Sequence, residues 1–396
     1  MLAYINADTG KKGTENMEKK GVCKFCAQAH GKVPRVETEK CFLCRGVFAK
    51  LEQLVQEAVS QSEKFEWETF SVGSSMQREI FAREEELFDA CSPEKCMCIK
   101  NVVNRAAAAE IEKITGKKMD AKNPDAFFSV DFLKGRGNAS AAPLYLFGHY
   151  CKFSRGMAQS SWGCNECKGS GKARGALCTK CNGSGRMYVA IEDVMRGAAK
   201  KAFGAADASL HASGREDVDV CMKGGGRPFV LEVISPERRG GIEAFEKEAN
   251  RSGDIKVGGI KATGKNAIEI VCTSHFEKEY DMLVDLQRDA LEKDVQEMRK
   301  MFSRGFVGLV QQTPTRVLHR RSDLARKRNV YLLDAGLEGK FLRVKLRTDA
   351  GTYVKEFASS DEGRTKPSIA GVIGCKAACR QLDVIKIHDE FLETVI

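Results

Sequence analysis

The sequence predicts an α+β protein of two domains, and three observations carry that reading. Helical and strand periods follow one another through the first third of the chain, strands dominate the remainder, and each part holds a doubled Cys-x2-Cys motif. At 396 residues there is room for two to three domains with real cores. Lysine and arginine number 64 against 54 acids, and the net charge of +10 suits a polyanionic partner without requiring one. No run of about 18 apolar residues is present to cross a membrane as a helix. Residues 1–21 lack the apolar core of a signal peptide, since Lys11, Lys12, Lys19 and Lys20 fall among glycines and acids, and they read as a frayed terminus. A cytoplasmic monomer is therefore expected. In that setting 16 cysteines point to metal rather than to disulfides.

Cys23-Lys24-Phe25-Cys26 and Cys41-Phe42-Leu43-Cys44 are two tight knuckles that can offer four thiolates to a tetrahedral zinc ion. All four positions are filled by protein, so the expected role is to fold a terminus poor in apolar residues. Residues 45–61 place Val47, Phe48, Leu51, Leu54, Val55 and Val59 at helical spacing, a core-facing stripe. Residues 65–73 alternate as a strand, and helices are expected over 75–89 and 101–115. Cys91, Cys96 and Cys98 have no evident fourth partner and read as core or loop thiols. Asn123-Pro124-Asp125 turns the chain into strands at 126–132 and 142–148.

The second quartet is a near repeat. Cys164 and Cys167, then Cys178 and Cys181, each belong to a Cys-x2-Cys-x-Gly-Ser-Gly unit whose glycines let backbone amides turn back toward sulfur, and a second structural zinc is expected. Residues 191–203 read as a helix, with Glu192 and Asp193 at its start and Gly204 suited to its left-handed cap. Gly214-Arg215-Glu216-Asp217-Val218-Asp219-Val220, then Gly224-Gly225-Gly226-Arg227-Pro228-Phe229, reads as strand, hairpin, strand, with an acid displayed at a sheet edge. A helix over 243–251, strands at Ile260 and over 268–271, a charged helix over 286–302 and a strand over 307–311 follow. Residues 341–346 and 352–357 read as paired strands, 369–374 as a helix and 381–388 as a last strand.

The Gly214–Val220 stretch with Gly226-Arg227-Pro228-Phe229 resembles the catalytic block of the archaeal-type tRNA pseudouridine(54/55) synthases. Gln311-Gln312-Thr313-Pro314-Thr315-Arg316-Val317-Leu318-His319-Arg320-Arg321 agrees in order, as does Ala350-Gly351-Thr352-Tyr353-Val354-Lys355-Glu356-Phe357 with its continuation Asp361-Glu362-Gly363-Arg364. Gly148–Gly156 and Arg186-Met187-Tyr188, on either side of the second quartet, match too. The likeness covers about Gly148 to the C-terminus; residues 1–147 resemble a THUMP-type module, which grips the acceptor end of tRNA.

The resemblance implies a THUMP-like α/β domain bearing zinc (1–147) and a pseudouridine synthase domain (148–396), built on a mixed, mainly antiparallel sheet with the knuckle pair at 164–181. The implied substrate is the TΨC arm of tRNA at uridine 54, 55 or both, with no organic cofactor. Asp217 becomes the nucleophile, with Arg215 and Lys355 as its cations and Asp219 as a hydrogen-bonding acid. Tyr280 lies under the target ring, Tyr353 shares the pocket, and Val354 takes an apolar place by the flipped base. A strand over 352–357 cannot point Tyr353, Val354 and Lys355 all one way, so a bulge or twist is needed there. Phosphate contacts are expected from Lys152, Arg155, the loop Arg238-Arg239, and the basic run Arg316, Arg320 and Arg321. Two departures stand out: Cys221 replaces the arginine of Asp-Val-Asp-Val-Arg, and the span between Cys167 and Cys178 is long.

Rival readings are a THUMP-linked tRNA enzyme of another class and a non-catalytic zinc protein that binds tRNA. The first needs a glycine-rich cofactor loop opening a βαβ unit, and none stands in a suitable context. The knuckle repeat also resembles the zinc region of J-domain chaperones, but no helix carrying His-Pro-Asp is present.

Overall fold

A computed structural model describes residues 20–30, 33–88, 97–319 and 321–396, and the chain forms two compact units. Expectations for residues 1–19, for Cys91 and Cys96, and for Arg320 lie outside the described residues.

The first unit comprises residues up to Pro143 together with Ser235–Arg239. Its elements are α1 (Leu51–Ser62), β1 (Thr69–Ser75), α2 (Arg78–Phe88), α3 (Ile99–Thr115), β2 (Lys118–Met119), β3 (Ala126–Asp131) and β4 (Arg136–Ala141). The sheet order is β2-β1-β3-β4, parallel except for the β3–β4 hairpin. Helices α1 and α3 pack on it through Leu54, Val55, Val103 and Ile111, while Trp67, Phe70 and Phe128 meet edge-on with ring centroids 5.1–5.9 Å apart. The 45–61 helix begins late because Val47–Lys50 form a 3-10 turn ahead of it.

The second unit holds β5 (Leu144–Lys152), β6 (Lys172–Ala173), β7 (Ala176–Leu177), α4 (Ile191–Phe203), β8 (Asp207–Ala212), β9 (Cys221–Ile234), α5 (Ile242–Ala249), β10 (Ile255–Thr263) and α6 (Asn266–Thr273). It continues with β11 (Lys278–Asp285), α7 (Glu292–Met301), β12 (Val307–Gln311), β13 (Arg326–Glu338), β14 (Phe341–Thr348), α8 (Val354–Ser359), β15 (Thr365–Lys366), α9 (Ile369–Ile373), β16 (Ala378–Ile387) and α10 (Leu392–Val395). Ten strands form one sheet in the order β10-β5-β9-β16-β11-β14-β13-β12-β15, with β8 also on β9. Every pairing is antiparallel except β9 with β16. This is the mixed, mainly antiparallel sheet expected. Phe203, Phe229, Phe245 and Phe357 lie fully buried in its core. The division expected at Gly148 falls inside β5; the whole strand pairs with β9, so the second unit starts at Leu144.

Three local readings are corrected. Residues 213–220 form a loop between β8 and β9, not a strand, and Gly224–Gly226 lie within β9 instead of closing a hairpin. Gly224 (φ 65°) and Gly226 (φ 90°) bend β9 where it changes partner, from β5 to β16; a Cβ on Gly224 would sit 2.0 Å from the Ile385 carbonyl oxygen. Residues 268–271, whose β-branched run suggests a strand, belong to helix α6, which buries Ala267 and Val271 one turn apart. Residues 352–357 are not a strand paired with β14 either. β14 pairs with β11 and β13, and the Gln311 side-chain amide takes both backbone groups of Tyr353, at 3.0 Å each, so the chain leaves the sheet and turns into α8.

Candidate active site

The loop between β8 and β9 carries the acids, and it is pinned from below. Arg227 on β9 is buried with Glu216; Nε lies 2.8 Å from Oε2, and Nη1 donates to the Ser213 carbonyl at 2.7 Å. Tyr150 on β5 donates its hydroxyl to Glu216 at 3.1 Å, and Gln159 Nε2 donates to the Tyr150 oxygen at 2.7 Å and to the Gly214 carbonyl at 2.9 Å. Lys152, 0% exposed, donates to the carbonyls of Met157 (2.9 Å), Asp217 (3.0 Å) and Val218 (3.0 Å). Burial pushes its ammonium down, although Glu216 pulls the other way. A charge spent on three carbonyls beneath the loop cannot meet a phosphate, so the expected RNA contact at Lys152 is corrected to a support for the loop.

With its backbone held, Asp217 turns its carboxylate outward. Arg316 Nη1 lies 3.0 Å from Oδ2, and Lys355 Nζ lies 3.1 Å from the same oxygen. Lys355 also donates to both oxygens of Asp219, at 2.7 and 2.9 Å. Arg316 is steadied by Glu356, a buried acid 2.6 Å from its Nε. The turn before it is tied down by Asp361, which accepts from the Thr315 amide at 2.9 Å. Partial burial raises the Asp217 carboxyl, but the Arg316 and then the Lys355 charge outweigh this and hold it below the usual range. Linkage fixes the sign. The ion pairs of a depressed carboxylate contribute above its unfolded value of 3.8 and are lost as pH falls through the lower folded value. An acid limb of turnover set by Asp217 is therefore expected below pH 3.8 in single-turnover kinetics; a limb near about pH 6 would assign it to another group.

Above the acids opens a hollow of about 570 Å³, walled by Tyr280, Tyr353, Val354, Lys278, Arg215 and Arg321 together with Asp217 and its cations. Tyr280 lies on the floor in β11, its hydroxyl pushed up to about 12 by burial. Because α8 is a helix, Tyr353, Val354 and Lys355 all reach the hollow without a bulge. Arg215, expected beside Asp217, instead stacks over Trp162 at 5.8 Å on the rim. Arg316, expected on phosphate, is the nearest cation to Asp217. Arg155 donates to the carbonyls of Asp219 (2.8 Å) and Leu382 (2.9 Å) and pairs with Asp383, so it too is structural. Cys221 points its thiol at the Phe153 carbonyl, 3.3 Å away. Arg238 and Arg239 belong to the first unit, where Arg239 pairs with Asp125 at 2.9 Å and donates to the Ala142 carbonyl at 3.0 Å. Its Nε and Nη1 are engaged there.

Sequence reasoning missed Glu216, Arg227, Tyr150 and Glu356. All four stand inside the motifs that carry the resemblance, yet nothing in their spacing shows that they meet beneath the loop or beside Arg316.

Both cysteine quartets close. In each, four buried sulfurs lie within 4.8 Å of one another. Sγ atoms of Cys23 and Cys44 are 3.8 Å apart, those of Cys164 and Cys178 3.8 Å, and those of Cys167 and Cys181 3.7 Å. Tetrahedral coordination with metal–sulfur bonds of ~2.3 Å sets sulfurs ~3.8 Å apart, so both sets fit a metal ion. The Cys23 amide donates to Cys41 sulfur at 3.3 Å, and the Gly185 amide to Cys181 sulfur at 3.2 Å. The second quartet repeats down to Ser170 and Ser184, which donate to the Cys167 and Cys181 carbonyls at 2.7 Å each.

The family model described as "Pus10, C-terminal" matches residues 145–388, and that described as "Pus10 THUMP domain, archaeal" matches residues 54–131. These matches make the chain a pseudouridine synthase domain joined to a THUMP domain. Similar curated proteins include three named tRNA pseudouridine synthase Pus10. That of Methanothrix thermoacetophila is 36% identical over 89% of this chain and 77% of its own. That of Thermofilum pendens is 33% identical over 89% and 77%, and that of Archaeoglobus fulgidus 34% over 92% and 99%. The chain belongs to the Pus10 family.

Proposed function

We propose that this chain isomerises uridine to pseudouridine in tRNA, at position 54, 55 or both of the TΨC arm, with Asp217 as nucleophile. The observation that carries this is the Asp217 carboxylate, held ionised between Arg316 and Lys355 at the edge of a hollow floored by Tyr280. The target uridine must leave its stack to be reached, and Tyr280 replaces the lost stacking, worth about 1–3 kcal/mol per base. Asp217 attacks the ribose or the base, the glycosidic bond breaks, the uracil turns over Tyr280, and C5 rejoins the ribose. Val354 and Tyr353 hold the base away from water, and Arg321 at the mouth meets the backbone phosphate. The reaction consumes no oxidant and no group donor. The first unit, with its THUMP domain, grips the tRNA acceptor end; the protein acts as a monomer in the cytoplasm.

Zinc is the ion we assign to both quartets, because four thiolates in closed tetrahedra suit it and leave no catalytic position. Elemental analysis of purified protein is expected to return about two zinc ions per chain, one for each cluster. Cys167→Ser should remove one of them, and a content unchanged by that substitution would contradict the assignment. The function itself is tested by incubating the protein with an unmodified tRNA transcript and assaying for pseudouridine; no product would refute it.

A further inference from the structure

We infer that Lys278 is a second catalytic residue, a cationic donor that receives the negative charge of the uracil once the glycosidic bond has broken. The inference rests on the reading above and extends it to the base. Breaking C1′–N1 leaves the bonding pair on the base while an Asp217 oxygen bonds to C1′. One negative charge thus moves from the carboxylate to N1 and the ring carbonyl oxygens. C5 then returns a pair to C1′, the carboxylate is released, and the C5 proton is lost as N1 gains one. If Asp217 attacks C6 first, the pair displaced from C5=C6 reaches O4, and the charge again lies on the base. Arg316 and Lys355 are placed for the start of this movement, being bound to Asp217 and Asp219. Another cation must serve its end.

Lys278 lines the same hollow and stands two residues before Tyr280 on β11, on the same face of the strand. Its Nζ donates once, to the Phe276 carbonyl at 3.1 Å, so two N–H groups remain. Among the described residues no carboxylate lies within ion-pair distance. Glu277 goes to Arg347 at 3.6 Å and Glu279 to His388 at 2.9 Å. The strands on either side oppose it with Thr348 and Ile387, and β9 offers Arg227, whose charge is spent on Glu216. A half-buried ammonium without a counter-ion, beside the tyrosine that floors the pocket, is a receptor for an anion that arrives during turnover. Burial, with repulsion from Arg227, pushes Lys278 down to about 8, so the donor is charged at neutral pH and is lost as pH rises through that value.

The test compares wild type, Lys278→Gln and Lys278→Arg in single-turnover pseudouridine formation on a tRNA transcript from pH 6 to 9.5, with tRNA affinity and melting temperature measured alongside. Lys278→Gln should lose about 10²–10³-fold in rate with tRNA affinity within about twofold. Wild type should show an alkaline limb near pH 8 that Lys278→Gln lacks. Lys278→Arg, permanently charged, should recover part of the rate and stay flat across that range. A Lys278→Gln rate within about twofold of wild type, or a loss found in affinity alone, overturns the inference. If Lys278→Gln melts early, Lys278→Arg decides: a vanished limb supports it, and a limb unmoved near pH 8 overturns it. A wild-type chain that makes no pseudouridine overturns the parent reading, whereas an active wild type with an unchanged Lys278→Gln overturns this inference alone.

Discussion

Asp217→Ala should abolish pseudouridine formation while tRNA binding stays within about twofold of wild type. The expectation follows from where the side chain stands. Its backbone carbonyl is held by Lys152, and the buried pair of Arg227 and Glu216 holds the loop beneath it, so shortening the side chain leaves the loop in place. Arg316 keeps Glu356, and Lys355 keeps Asp219, so neither cation is stranded. What goes is the carboxylate proposed as nucleophile, the one acid among the described residues of the hollow that two cations hold at its wall. Loss of a nucleophile costs several orders of magnitude in turnover, since nothing else forms the covalent bond. Turnover by Asp217→Ala within tenfold of wild type would assign the nucleophile elsewhere. A matching loss of tRNA affinity would make the residue structural.

Arg227→Leu should be the most destabilising single change near the site, costing about 3–5 kcal/mol. The side chains of Arg227 and Glu216 are 1% and 0% exposed. Removing the arginine strands a carboxylate that water cannot reach, and frees the Ser213 carbonyl as well. A second change gives the diagnosis. Glu216→Gln in the Arg227→Leu background removes the stranded charge and should restore part of the loss, which urea unfolding of the three variants reads directly. A double variant no more stable than Arg227→Leu would mean that packing, not charge, sets the cost. Because Glu216 precedes Asp217, Arg227→Leu should also slow turnover at temperatures where it remains folded.

The two-domain architecture and the cysteine quartets were legible in the sequence because local signals and global fold agree there, whereas the acidic stretch was singled out by the family resemblance and its local reading as strand and hairpin gave way to a loop. The knuckles write their own geometry through spacing, and helix α4 carries acids at its start and a glycine at its end. Local pattern misleads where long-range partners override it. Residues 352–357 alternate like a strand, yet Gln311, 42 positions upstream, captures the Tyr353 backbone and sends the chain into a helix. That one contact dissolves the conflict over Tyr353, Val354 and Lys355. Arg316 reads as part of a phosphate-binding run, since nothing local reveals that Asp217 and Glu356 flank it in space. Lys152 and Arg155 look like surface cations on a basic platform, but the carbonyls they satisfy come from distant strands and loops. Burial of a charge is a property of the assembled fold, and composition does not show it.

The central claim is that Asp217, held charged by an arginine and a lysine from two other segments, turns a uridine of the TΨC arm. Position-resolved mapping of pseudouridine on an unmodified tRNA transcript, after incubation with wild type and with Asp217→Asn in parallel, addresses it most directly. New pseudouridine is expected at position 54, 55 or both with wild type and none with Asp217→Asn. Product confined to other positions, or the same product from both proteins, would contradict it.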